Sequence, residues 1–125
     1  MITDTNGLSA FADGNRQVIG FLSHASQLAI PVVVLGEYRF GIAQSRKRHE
    51  YELWLEETLP LCRVIEISLE TTVWYAEIRL ELKRAGKPIP SNDLWIAALC
   101  RQHNLPLLSR DRHFDLVAGL RRVSW

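Results

Sequence analysis

Four acidic residues stand where short apolar segments begin or end. Asp4 follows "MIT", Glu37 follows "QLAIPVVVLG", Asp93 opens the run "LWIAALC", and Asp111 comes two residues after "LPLLS". Carboxylates brought together repel and raise one another's pKa unless a cation joins them. Magnesium and manganese are the natural partners, because both prefer oxygen ligands and keep several waters. Such a cluster suits metal-assisted hydrolysis of a phosphodiester: one ion activates water, and a second, about 3.5–4 Å away, can steady the leaving oxygen. One ion or two are both compatible with four acids. Taken singly, each acid has a plainer role. Asp4 and Asp93 are placed to cap helices, Glu37 to be a solvated helix residue, and Asp111 to be a turn residue in "SRDRHF". The choice depends on the elements that carry them.

Those elements alternate. "MITD" reads as a short strand, and Thr5 and Asn6 can cap a helix beginning near Gly7 or Leu8. Val18, Ile19, Leu22 and Ala25 recur at helical spacing, and "QLAIP" is a brief strand stopped by Pro31. From Val32 to Ala43, "VVV" favours a strand, yet Val34, Leu35, Tyr38 and Ile42 recur helically after a proline suited to a first turn, so a helix is expected. "HEYELWLEETLP" reads as a helix ending at Pro60, and "CRVIEI" as a third strand. The next helix is capped by Ser68 and stopped by Gly86. "SNDLWIAALCRQHN" is a helix with Ser91 as N-cap and Asn104 in a left-handed terminal position. "LPLLS" is a buried strand, and "LRRVSW" can add an edge strand. Short apolar strands alternating with helices predict a parallel sheet covered on both faces.

In such a sheet, crossover helices running antiparallel to the strands bring strand carboxyl ends and helix amino ends to one rim, where ligands bind. Asp4 and Asp111 close strands, while Asp93 and Glu37 lie in early helical turns. All four acids therefore project toward the same rim.

The 125 residues suit a single domain, 1–125, large enough to bury a core without disulfide or metal staples. No apolar run is long enough to span a bilayer, and "MITDTNGLSAFADGN" lacks a basic, then apolar, leader pattern, so a cytoplasmic protein is expected. Cys62 and Cys100 sit in apolar stretches without ligand spacing and read as buried reduced thiols. The formal charge of +1 favours no particular partner.

The ordered set "DTN", "EYRFG", "IPSNDLWIAA" and "LLSRDRHF" resembles the PIN-domain ribonucleases, specifically the VapC-type toxins of bacterial toxin–antitoxin pairs, over essentially the whole chain down to "GLRRVSW". The resemblance implies an α/β fold, a three-layer α/β/α sandwich with a central parallel sheet. It implies an endoribonuclease whose magnesium or manganese is held by Asp4, Glu37, Asp93 and Asp111, a cognate VapB-like antitoxin, and a homodimer. Asn6 resembles the polar residue that supports the first aspartate. Ser109 stands where these proteins often carry a threonine that orients the site.

An RNA backbone needs cations beside an acidic rim, and Arg110 and Arg112 flank Asp111. Surface solvation or pairing with Asp115 is their alternative role. "SRKRH" at 45–49 falls at a helix end, where cations suit the dipole. Trp54, Trp74, Trp95, Tyr38, Tyr51 and Tyr75 are expected in the core or an interface, with base stacking as the alternative. His113, beside Asp111, is the histidine positioned for proton transfer. Two other functions compete with the nuclease. One is a PIN-fold module that binds RNA or protein without catalysis. The other is an aspartyl-phosphate phosphatase at "DTN", which the asparagine two residues after Asp4 argues against.

Overall fold

The computed structural model describes residues 1–24 and 27–125. Their five strands form one sheet in the order β3-β2-β1-β4-β5, with every neighbouring pair parallel. The strands are β1 (Ile2–Thr3), β2 (Ala29–Pro31), β3 (Arg63–Ile65), β4 (Leu107–Leu108) and β5 (Arg122–Val123). The central strands β1, β2 and β4 are buried at every position, as a sheet covered by helices on both faces requires. The architecture is an α/β sandwich of this sheet with six helices: α1 (Thr5–Ala12), α2 (Arg16–His24), α3 (Val32–Ala43), α4 (Arg48–Thr58), α5 (Leu69–Arg84) and α6 (Ser91–His103). Ala25, assigned from its spacing to the second helix, lies outside the described residues.

Local chemistry accounts for the element ends. Asp4 caps α1 by accepting from Gly7 N at 2.8 Å. Ser68 and Thr71 form a reciprocal capping box at α5. Gly86 (φ +68°) and Asn104 (φ 51°) take the left-handed conformation that stops α5 and α6. Ser91 differs from expectation: it is the first residue of α6, and Pro90, with no side-chain cap, precedes it. A proline fits there because its missing N–H would have had no helical partner.

Contrary to what the sequence pattern predicted, the crossover helices do not all run against the strands. Thr71 Oγ1, near the start of α5, donates to Gln102 Oε1, near the end of α6, at 2.6 Å, and Tyr75 stacks on Trp95 at 4.0 Å. The two helices are therefore an antiparallel pair, and not every crossover helix opposes the strands. The rim survives because α6 is the second of the pair: it ends at His103, beside the start of β4, so its first turn lies at the opposite, carboxyl edge. α1 and α3 start directly after β1 and β2 and share that edge.

The core is continuous from Ile2, Leu8 and Ile30 to Ile78, Leu99, Leu107 and Phe114, all of them fully or almost fully buried. Cys100 is buried and Cys62 half-buried; both are free, and burial pushes both thiols up, as inert thiols require. Among the described residues no helix is long and apolar enough to cross a membrane.

Candidate active site

Asp4 is the most fixed of the four acids. It is buried, with 6% of its surface exposed, at the junction of β1 and α1. One carboxylate oxygen accepts from Gly7 N, and the other from Ser109 Oγ. Ser109 is itself fully buried after β4, and its hydroxyl also accepts from Asp111 N at 3.0 Å. A single serine therefore connects the first and last aspartates. Gly7 makes this possible: a Cβ there would overlap Thr3 Oγ1, 3.1 Å from the Leu108 carbonyl oxygen and 3.2 Å from Asp4 Oδ1.

Asp111 heads the 3-10 turn Arg112–Leu116 within the link from β4 to β5, and its Oδ1 accepts from His113 N at 3.2 Å. The turn is held by Arg122, which donates to both oxygens of Asp115 at 2.8 and 2.9 Å and to the Ser109 carbonyl at 3.1 Å. The His113 ring lies between two of the acids, with Nδ1 2.9 Å from Asp111 Oδ1 and Nε2 2.7 Å from Asp93 Oδ2. Despite that closeness, Nε2 is buried and has no geometrically acceptable hydrogen bond among the described residues. Glu37, in the second turn of α3, is exposed and accepts from Asn92 Nδ2 at 3.3 Å.

The acids affect one another's charge. Burial is the largest influence on Asp4, Glu37 and Asp93 and pushes each carboxyl above its usual range. The Asp4 shift is opposed by Ser109 and Gly7 and increased by Asp93 and Asp111. Asp93 raises Glu37, which Asn92 and Thr5 pull down, and Asp4 raises it further. His113 lowers Asp93 and Asp111 raises it. All four acids therefore lie within one electrostatic neighbourhood.

Asp93, Asp111 and His113 offer ligand atoms all within 4.8 Å of one another. Carboxylates that raise each other fit a divalent cation, and oxygen donors are the kind that magnesium and manganese prefer.

The remaining residues named from the sequence lie around this cluster. Asn6 is exposed on α1 and lines a shallow groove with Arg110 and Trp125. The Arg110 guanidinium covers the Trp125 ring at 4.9 Å, and its Nε donates to the Trp125 carbonyl at 3.1 Å. Arg112 is exposed. Gly7 and Asn92 were not identified from sequence. The glycine immediately after "DTN" was the available clue to a close approach, whereas Asn92 gave no signal beyond its place beside Asp93.

A parallel sheet carrying acids at its carboxyl edge, after β1 and β4, in the second turn of α3 and in the first turn of α6, defines a class. The model of the PIN domain matches residues 1–120, and the chain belongs to that family. It is 28% identical over 127 residues to Ribonuclease VapC2 of Rickettsia felis, covering 98% of this chain and 95% of that protein. It is 29% identical over 121 residues to Toxin FitB of Neisseria gonorrhoeae, covering 89% and 87%. The crystal structure of VapBC2 from Rickettsia felis bound to a DNA fragment from their promoter superposes with a TM-score of 0.88 at 26% identity, covering 99% of this chain and 97% of that one.

Proposed function

We propose that the chain is a metal-dependent endoribonuclease, the toxin of a VapBC-type toxin–antitoxin pair, acting as one domain in the cytoplasm. The observation that carries this reading is the placement of Asp4, Glu37, Asp93 and Asp111 together at the carboxyl edge of a PIN fold. A relative named ribonuclease that aligns along nearly the whole chain supports it. A structural neighbour solved as a toxin–antitoxin complex supports a VapB-like antitoxin as partner, and a homodimer is the expected assembly.

Asp4, Asp93 and Asp111 are the residues that would hold magnesium or manganese, with Glu37 engaging directly or through a water. When bound, the ion supplies charge neutralisation at the phosphodiester and activation of water for attack. Asp4 serves as the preset ligand, because Gly7 and Ser109 orient both of its oxygens. Glu37, exposed and accepting a 3.3 Å contact from Asn92, is placed to orient the attacking water. In-line attack then leaves 3′-hydroxyl and 5′-phosphate ends. Arg112, exposed beside Asp111, supplies a cation for a phosphate. Arg110 does so if it leaves Trp125. Engagement of both Asp4 oxygens disfavours phosphoaspartate chemistry at that residue.

The test is RNA cleavage by the purified chain in magnesium or manganese, beside the Asp93→Asn variant and an EDTA control. Wild type should cut, and the folded variant and the chelated sample should not. Full cleavage by Asp93→Asn would remove the assignment, and binding of RNA in EDTA with no cleavage under any condition would favour a non-catalytic module.

A further inference from the structure

A cavity of about 280 Å³ opens from the catalytic rim between α1 and α3. Thr5 and Glu37 form its rim end, and Asp13, Ser45 and Tyr51 its far end. Asp13 lies eight positions beyond Thr5, which corresponds to roughly 12 Å along a helix, so the cavity leads away from the metal-binding acids rather than duplicating them. Its size lies near the low end of the range of about 300–1,000 Å³ for small-ligand pockets.

One polar group in it is unexplained. Tyr38 is 3% exposed, yet its hydroxyl is buried without a hydrogen-bond partner among the described residues. Leaving such a group unpaired in a packed interior is destabilising. A phenol hydroxyl can donate one hydrogen bond, so this group is able to serve a guest. Nearby, Asp13 Oδ1 accepts from Tyr51 O–H at 2.7 Å, leaving its other oxygen open to a guest. Carbon surfaces of Ile42, Gly41 and the tyrosine rings complete the walls.

A mostly apolar slot with one unpartnered hydroxyl donor and one carboxylate acceptor suits an unstacked nucleobase read along its Watson–Crick edge. A phosphate is excluded, because Asp13 and Glu37 would repel it. We propose that this cavity is a base subsite for the RNA substrate, taking a guanine that flanks the cleaved bond. The guanine O6 accepts from Tyr38 O–H, and its adjacent N1–H and N2–H donate to Asp13. This rests on the ribonuclease reading above and adds to it the feature that selects sequence.

The test uses the full chain, manganese and an RNA pool randomised at every position, with new 5′ ends sequenced. Wild type should enrich guanine at one fixed position beside the cut. Tyr38→Phe, which removes only an unpartnered oxygen, and Asp13→Asn, which keeps an acceptor for Tyr51 but replaces a carboxylate oxygen with a donor, should each reduce that enrichment about tenfold. Manganese affinity measured by calorimetry should not change. Cleavage with no guanine preference, or with the same preference in both variants, overturns the subsite and leaves the ribonuclease reading standing. An unchanged preference together with weakened binding of N-acetyl-arginine amide would assign the cavity to a partner protein's guanidinium instead. Absence of cleavage by wild type overturns both readings.

Discussion

Replacing Ser109 with alanine should destabilise the protein in a pH-dependent way. The serine is fully buried, donates to a carboxylate and accepts from a backbone N–H. A hydrogen bond to a charged group and a neutral one together contribute about 2–4 kcal/mol. For a chain of this size that corresponds to a melting temperature lower by about 8–16 °C at neutral pH. Burial already holds Asp4 above the usual carboxylate range, and Ser109 is the strongest group opposing that shift. A raised carboxyl contributes stability fully below its unfolded value and loses it as pH rises through the folded value. Without Ser109 the folded value rises further, so the deficit should be greatest at neutral pH. It should shrink at about pH 3, where Asp4 is protonated in both states. Urea unfolding of both chains in EDTA at the two pH values measures this. A variant as stable as wild type at neutral pH, or one whose deficit is the same at both, refutes the assignment of Ser109 as the support of an ionised Asp4.

Asp93→Asn should raise stability in EDTA at neutral pH, since burial and Asp111 push this carboxyl up, and the gain should vanish in acid; thermal melts check both. Manganese should stabilise wild type by about 2.7 kcal/mol at about 100 times its Kd, more weakly as falling pH protonates the acids, and should not stabilise Asp93→Asn to the same extent. Gly7→Ala should cost about 1–3 kcal/mol in urea unfolding and weaken manganese binding, because the new methyl displaces Thr3 or Asp4. Arg122→Gln should loosen the turn bearing Asp111 and His113, seen as faster amide exchange at His113.

The order of strands and helices was readable because the central strands are short apolar runs and α5 and α6 carry their own stop signals, Gly86 and Asn104. The rim was readable because Asp4, Asp93 and Asp111 stand at element ends and Glu37 in the second turn of its helix. The direction of α5 was not, because periodicity says which residues form a helix and nothing about which way it runs; the contact of Thr71 with Gln102 joins residues thirty-one apart. The environment of Arg110 was hidden similarly, since its partner Trp125 is fifteen residues away. The Tyr38 cavity required knowing that Asp13 and Tyr51 meet across thirty-eight residues.

The site divides into a fixed half and an adjustable half, and the division follows from how each acid is attached. Asp4 is tied to the core through Gly7 and Ser109, so folding of β1 against β4 sets its position before any ligand arrives. Asp111 has 43% of its side chain exposed on a 3-10 turn, Asp93 meets the His113 ring, and exposed Glu37 accepts a long 3.3 Å contact from Asn92. Holding all four rigidly would freeze like charges together at full electrostatic cost, whereas one anchored carboxylate with three compliant neighbours lowers that cost in the empty state and still limits the search for coordination geometry. Imidazole contacts on Asp93 and Asp111 serve the same end, keeping two acids near their working separation. Activity should therefore depend on Ser109 and Gly7 as strongly as on the acids they place, although neither would touch the substrate.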